Sequence, residues 1–558
     1  MRADMSESFI PDELTGGLVV SPVGGAADTL SVDPVPVNRS PAFEAGLARS
    51  AGILGFGNIA SRVIGLARDT ITSYYFGASG QLSAFTVAAN VPTMIFDLLV
   101  GGMLSAALVP VFSGYTRAEH RAELAEVASA VLTLIALVMG SVVLALELFA
   151  VPVANLLGNF SDPALQQVLV RCLRIIAPAV LLFGLTGGVT GLLYSLKRFT
   201  YTAVSGAVFN LGIVLAAPLL AGKLGIYCLP LGVVAGSLAQ LAVMSPGLRD
   251  LRLRVSTAWR HPAVRRIGRL YIPIALGLIV AEIQIVVDRR WASGLGVQSV
   301  SWMRYATTLI QLPLGLVPVA VSLAALPSLA QRATDKDWDG FRWIFARGLR
   351  LVMVLLIPAA AGLFALAQPV IRLLFQHGVF AAADTGMTAS ALRLYLLGLP
   401  FAGVDFLLNY TFYARQDTRT PAIVGVVAVG FYFIAALSLM PALGFLGLVL
   451  ADSVKQAAHA LIMTALLMRS VGRVGGHGVP GTLFKAGAAA LAMGLLVWAL
   501  AERLVGLLPG GFLGQLALVA VAAGAGAAFY TLVLRIWGVK EVVDLANGVT
   551  GRLRHARP

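Results

Sequence analysis

Charge is scarce in this chain. Lys, Arg, Asp and Glu make up 12% of its 558 residues, against 58% hydrophobic ones. A soluble globular protein carries about a quarter charged residues. Too little polar surface is left to cover so much apolar bulk in water. A soluble enzyme, a disordered regulator and a secreted disulfide scaffold are thereby excluded. Cysteine is scarcer still. Cys172 and Cys228 both sit in apolar runs and form no CxxC or ligand cluster. They read as small core residues. The six histidines give no HExxH, so no metal site is read. Gly222-Lys223-Leu224 lacks the glycines and the Ser or Thr of a phosphate-binding loop. With no soluble stretch long enough for a catalytic domain, the chain does not read as an enzyme. A basic start followed by an apolar run of about 7–15 residues, the mark of a signal peptide, is also missing. Residues 1–49 hold Pro11, Pro22, Pro34, Pro36 and Pro41 among scattered acids and read as a disordered cytosolic tail.

What the chain has in quantity is long apolar runs, and its mean hydropathy is +0.85. Runs of about 20 residues span a hydrocarbon core of about 30 Å. They fall near 51–76, 83–113, 124–150, 164–196, 200–221, 226–248, 268–291, 299–329, 347–370, 385–414, 420–440, 444–468, 481–505 and 512–536. An all-α polytopic membrane protein of about fourteen transmembrane helices is predicted, kinked at Pro92, Pro178, Pro313 and Pro400. Charge placement supports the count. With the amino end in the cytosol, the cytosolic connections hold Arg117 and Arg121, Lys197 and Arg198, and the run from Arg249 to Arg269. They also hold Arg332 to Arg347, Arg415 and Arg419, and Arg469 and Arg473, and the tail at 538–558 adds Lys540, Arg552, Arg554 and Arg557. The opposite connections hold only Lys223, Arg372 and Arg503 at helix ends. This is the positive-inside distribution, with both termini cytosolic in an inner (plasma) membrane. It places the net charge of +14 beside anionic headgroups, and no nucleic-acid partner is read.

An internal repeat organises the spans. Tyr194-Ser195-Leu196-Lys197-Arg198 returns as Tyr413-Ala414-Arg415-Gln416-Asp417, and Leu224-Gly225 returns as Leu443-Gly444, all at an offset of 219. Asp69 maps onto Asp288 and Gly77 onto Gly296 in the same way. The chain therefore divides into six-helix halves at 50–249 and 265–470, with two extra helices at 481–537. An even number of spans per half relates the halves by a pseudo-two-fold axis along the membrane normal. Such paired halves are a transporter device, with substrate at their interface and alternating access by rocking.

Charges inside the spans mark the candidate site. Arg62 lies near the middle of the first span, with Arg68 and Asp69 two turns further. An arginine at mid-bilayer costs on the order of 2.5–3.5 kcal/mol, and snorkelling relieves it only near an end. Two cations against one anion point to a water-filled cavity that attracts anions, and the arginine fork suits phosphate oxygens. Arg304 lies inside the eighth span by the same reasoning. Asp288, Arg289, Asp405 and Asn409 are possible supporting charges, the last two sharing one helix face. For each acid, a pair with a nearby arginine competes with a role in ion coupling.

These residues also carry a resemblance. SRVIGLARD at 61–69, VDRRWASGLG at 287–296, QLPLGLVPVAVSLAALPSLA at 311–330, LLFQHGVFAAADT at 373–385 and YARQDTRTPA at 413–422 resemble the MurJ (MviN) family. Its members flip lipid II, the undecaprenyl-pyrophosphate-linked peptidoglycan precursor, and belong to the multidrug/oligosaccharidyl-lipid/polysaccharide exporter superfamily. The resemblance implies fourteen helices in a six-plus-six-plus-two plan, with the last two lining a groove for the lipid tail. It implies that Arg62, Arg68 and Arg304 hold the substrate diphosphate. The implied partners are the lipid-linked precursor, membrane lipids and, as a candidate, the cell-wall synthesis machinery.

The chain departs from the family at Ser83 where the second helix usually starts with Asp, at Phe96-Asp97 in place of an Arg pair, and at Gly101-Gly102 in place of Glu-Gly. Thr308 stands where the eighth helix usually has arginine, and Arg304 lies one turn earlier on the same face. Some members bind sodium through Asn and Asp of the eleventh helix, and 421–440 has neither. A coupling ion or the membrane potential is thus left open, and no cofactor is expected. The alternatives are a flippase for another lipid-linked oligosaccharide, a cation-coupled multidrug antiporter, and a pseudo-transporter serving as an envelope scaffold.

Overall fold

The structure, a computed structural model, describes residues 41–98, 107–116, 120–509, 511–539 and 541. Most of the expected tails at 1–49 and 538–558 lies outside the described residues. So do Gly101, Gly102, Arg117, Lys540, Arg552, Arg554 and Arg557. The chain divides into Met1–Arg49, of which residues 41–49 are described and helical, and Ser50–Pro558.

Regular structure among the described residues is helical throughout. In chain order the helices are α1 (Pro41–Phe76), α2 (Gly80–Phe96), α3 (Val109–Ser113), α4 (Arg121–Leu148), α5 (Ala150–Leu157), α6 (Pro163–Ser195), α7 (Phe199–Leu224) and α8 (Cys228–Met244). There follow α9 (Pro262–Leu295), α10 (Ser299–Thr334), α11 (Trp338–Ala365), α12 (Ala367–Phe375), α13 (Ala382–Ala414), α14 (Arg419–Leu443), α15 (Phe445–Val471), α16 (Val479–Leu507) and α17 (Phe512–Ile536). Most expected spans fall on one long helix, while 83–113 is divided between α2 and α3 with residues 99–106 outside the described ones, and 347–370 runs from α11 into α12. Pro92, Pro178, Pro313 and Pro400 lie within continuous helices. Ten described stretches are long and apolar enough to cross a membrane, and one of them, Phe199–Leu248, holds both α7 and α8. Crossing by α1, α2 and α9 is carried from the sequence.

Local chemistry sets the helix ends. Ser79 accepts the Leu82 amide at 3.2 Å to start α2, and Asp162 accepts that of Ala164 at 2.8 Å to start α6. Pro163 and Pro262 occupy first helical positions, where the missing N–H costs nothing. The repeat reappears in the backbone. Lys197 and Gln416 are left-handed, with φ 59° and 60°. Behind them the amides of Arg198 and Asp417 reach back to the carbonyls of Leu193 and Phe412 at 2.9 and 3.0 Å. That is one helix-ending motif used twice. Gly225 and Gly444, with φ +54° and +57°, likewise end α7 and α14. Beyond the membrane, Asp250 takes Arg198 at 2.6 and 2.9 Å and also Arg121, tying the starts of α4 and α7 to the turn after α8. The bond from Arg198 and then that from Arg121 overcome desolvation and pull the Asp250 carboxyl down to about 2.

Packing follows the repeat. In the first half α6 packs against α2, α4 and α8, and α7 against α8. In the second, α13 packs against α10, α11 and α15, and α14 against α15. One apolar core runs through both halves, joining Phe85, Ile176, Tyr305 and Leu396. Large apolar side chains such as Leu219, Ile434 and Leu491 stay exposed, as a lipid-facing surface requires. Helix α16 lies on α11, and α17 lies on α16 and α12.

The halves meet where α2 crosses α10. The Ser83 and Ser301 hydroxyls are 2.9 Å apart, and the Ser301 amide donates to Ser83 Oγ at 3.2 Å. Tyr305 donates its hydroxyl to the Gly77 carbonyl at 2.9 Å. Ser83 and Ser301 are 218 residues apart, one short of the repeat. Near-equivalent residues that touch each other lie beside the axis relating the two halves.

Two predictions follow from this frame. With Cys172 and Cys228 replaced by Ala, cysteines at Ser161 and Ala382 should react with an impermeant thiol reagent from outside. Cysteines at Thr257 and Asp335 should be protected in intact cells. Labelling on the reverse sides would overturn the orientation. Separately, Lys197→Gly and Gln416→Gly should each stabilise the protein by about 0.5–1 kcal/mol, since a left-handed backbone penalises a Cβ. Unfolding on heating in detergent reads both, and a gain at one position alone would break their equivalence.

Candidate functional site

The first span's arginines exist where they do because α1 carries them at helical spacing past α7 and α10. Asp69, fully buried, is the centre. Its carboxylate accepts Arg68 Nε at 3.0 Å and NH2 at 3.1 Å, Arg304 NH2 at 2.7 Å and Thr308 Oγ1 at 2.8 Å. A carboxylate has about four lone-pair sites, and all are taken. Two guanidiniums therefore share one anion, and the cluster keeps a net positive charge.

A second ring of contacts aims the two arginines. Arg68 NH1 donates to Asn210 Oδ1 at 3.0 Å. Asn210 in turn donates to the Gly206 carbonyl at 3.1 Å and the Ser61 carbonyl at 3.3 Å, fixing its amide orientation. Arg304 NH1 donates to Thr86 Oγ1 at 3.2 Å, and its guanidinium lies over the Phe85 ring, 5.8 Å from the centroid. Four helices, α1, α2, α7 and α10, thus build one site across both halves. Arg304 and Thr308 reach opposite oxygens of the same carboxylate. A charge at either position addresses the same partner, which is the geometric content of the exchange along the eighth span.

Arg62 stands apart from this carboxylate. Its NH1 donates to the Gln311 carbonyl of α10 at 2.7 Å, and its Nε is buried without a partner. Its guanidinium lies where a Cβ on Gly315 would sit, so α10 approaches closely only because that position is glycine. Among the described residues no acidic side chain pairs with Arg62. The arginine is held in place without being neutralised.

The remaining sequence candidates fall in two other groups. Asp288 accepts Tyr432 Oη of α14 at 2.5 Å and has Arg289 NH1 at 3.9 Å. Beside it Lys455 of α15 bonds Asp452 at 2.7 Å and Gln284 at 3.4 Å, placing an ammonium among these acids. Asp405 pairs with His459 Nδ1 of α15 and accepts Asn409 Nδ2 at 3.1 Å. No hydrogen bond or ion pair among the described residues joins either group to Asp69. No three His, Cys, Asp or Glu residues come together among them as a metal-binding group. Sequence reasoning missed Thr86, Asn210, Tyr432, Lys455 and His459. Asn210 had a signal, a lone amide in an apolar run.

An apolar cavity of about 790 Å³ opens between α11, α12, α16 and α17. It is lined by Val354, Pro358, Met493, Val497, Ala523 and Tyr530 among others, and Tyr530 donates its hydroxyl to the Val354 carbonyl at 2.8 Å.

If Asp69 is the centre, removing its charge is far worse than removing one donor. Asp69→Asn leaves two partly buried arginines without their shared anion and should cost about 3 kcal/mol. Thr308→Val should cost about 1–2 kcal/mol. Folded protein surviving a temperature series in detergent separates the two. Equal, small losses would remove Asp69 from its central place.

Comparison with known proteins adds the following. The family described as "Lipid II flippase MurJ" matches residues 72–518. A protein of Burkholderia cenocepacia named lipid II flippase MurJ is 31% identical over 424 residues, covering 74% of this chain and 81% of its own. A probable lipid II flippase MurJ of Vibrio cholerae is 28% identical, covering 88% of this chain and 97% of its own. Among solved structures, "Lipid II flippase MurJ, inward closed conformation" aligns with a TM-score of 0.72 at 23% identity, over 86% of this chain and 99% of that one. An inward-facing multidrug resistance MATE family transporter of the MOP superfamily aligns at 0.62 and 12% identity, over 74% of this chain and 96% of that one. The last two likenesses concern the fold.

Proposed function

Because the chain belongs to the MurJ lipid II flippase family, we propose that it moves the undecaprenyl-pyrophosphate-linked peptidoglycan precursor from the cytosolic to the outer leaflet. It is a multi-pass membrane transporter. Its place in this reading is the inner membrane, with both termini in the cytosol and the cell-wall synthesis machinery downstream.

The observation that carries the site is the charge balance around α1. Arg68 and Arg304 share the single Asp69 carboxylate, and Arg62 on the same helix as Arg68 bonds only a backbone carbonyl. A diphosphate supplies the missing negative charge, and planar guanidiniums meet its oxygens in pairs. Arg68 and Arg304 are pre-aimed by Asp69, Asn210 and Thr86, so little side-chain freedom is lost on binding. Arg62 brings a cation without a carboxylate of its own. The apolar cavity beside α16 and α17 suits the polyprenyl tail, which can stay in an apolar medium while the headgroup crosses. Rocking about the α2–α10 contact then exposes the cluster to either side in turn. A cationic-drug antiporter calls for the opposite charge here, and the excess of arginine opposes it.

Reconstituted vesicles test the assignment, with transport of a fluorescent lipid-diphosphate saccharide normalised to inserted protein. Arg62→Ala should lower transport at least about tenfold while insertion stays normal, since a cation within a span only adds to the insertion cost. Arg62→Lys keeps the charge but loses the fork and should be partly active. Normal specific transport by Arg62→Ala would overturn the diphosphate site.

A further inference from the structure

Asp97 and Glu282 have no part in the cation cluster, and their placement is unusual for membrane-embedded acids. Asp97 caps α2 in the first half, and Glu282 sits on α9, the opening helix of the second. Helices α2 and α9 touch, and each carboxylate lies within electrostatic reach of the other. The Glu282 side chain is nine-tenths buried, 9% exposed, and its Oε2 is fully enclosed without a hydrogen-bond partner. Among the described residues no Lys, Arg or His pairs with either acid. Asp97 itself is exposed, so the pair is open to a ligand on that side.

An unpartnered carboxylate in such a place costs several kcal/mol, and a second carboxylate beside it adds repulsion. Every other embedded acid described above, Asp69, Asp288, Asp405 and Asp452, has a donor or a cation. A cation would supply the partner that this pair lacks among the described residues.

Distance along α2 says what kind. Thr86, which holds Arg304, and Asp97 are eleven residues apart on that helix, about 16 Å along its axis. The point on α2 that holds Arg304 and the Asp97 carboxylate therefore lie that far apart along one helix. We propose that Asp97 and Glu282 bind a primary ammonium group on the far side of the transported headgroup while the arginines hold its diphosphate. This deepens the reading of the preceding subsection and rests on it. The substrate class is then an amphoteric headgroup, anionic where it joins the lipid and cationic at its distal end. Because the acids belong to different halves, the ammonium also removes the repulsion between α2 and α9 and draws the halves together around bound cargo.

The full chain in vesicles of phosphatidylethanolamine and phosphatidylglycerol tests this with two probes. One is a lipid-diphosphate saccharide whose peptide carries a free amine, and the other is the same lipid with that amine acetylated. The wild type should transport the free-amine lipid about tenfold faster, the worth of one charge-assisted hydrogen bond. Glu282→Gln, which keeps the side-chain shape, and Asp97→Asn should each bring the preference to within about twofold, with rates normalised to inserted protein. Equal transport of both probes by the wild type would overturn the ammonium site and leave the flippase reading standing. A preference that survives in both variants would also overturn it. Failure to move either probe would remove the flippase reading, and this inference with it.

Discussion

One carboxylate holds the interior together. Asp69 is fully buried and accepts donors from α1 and from α10, one helix in each half. Two arginines cannot sit side by side in a low-dielectric interior unless an anion lies between them. Everything else at the site answers to that condition. Arg68 leans on Asn210, Arg304 on Thr86, and Thr308 closes the last lone pair. The result is a cluster that is satisfied yet still positive. That residual charge is the ground of the proposed diphosphate site.

The helices were easy to read and the partnerships were not. Apolar runs bounded by polar connections dictate helices because lipid leaves no other way to satisfy the backbone, so α6, α10 and α17 fall within a few residues of their expected limits. The repeat was legible because its turn chemistry repeats. Lys197 and Gln416 share a backbone geometry as well as an alignment. The charge excess at Arg62, Arg68 and Asp69 was legible from spacing along one helix. What spacing along one helix does not encode is which neighbour crosses it. Arg304 reaches Asp69 from 235 residues away and Asn210 reaches Arg68 from 142. Arg62 turns to a carbonyl of α10 and leaves the carboxylate to others. Asp288 and Asp405 looked like site acids because they are embedded, and their partners Tyr432, Lys455 and His459 lie on helices whose packing only the fold reveals.

The two sites differ in how their charge is managed. Around Asp69 the ions are mutually held, and ligand is needed only to balance the surplus. At Asp97 and Glu282 no cation among the described residues holds the charge. In the proposed function, a site of the first kind is pre-organised and sets where cargo sits. A site of the second kind is unstable alone and, in the inference drawn above, sets when the halves come together.

The contact between Ser83 and Ser301 has a mechanical meaning. It consists of two hydroxyls and an amide, the smallest polar joint two helices can make. Neutral hydrogen bonds contribute about 0.5–1.5 kcal/mol each, so this joint aligns the halves without gluing them. Phe85 of α2 and Tyr305 of α10 belong to the apolar core beside it, so the polar joint sets register within a packed contact. In the proposed cycle the halves turn about this joint, and direction comes from the cargo.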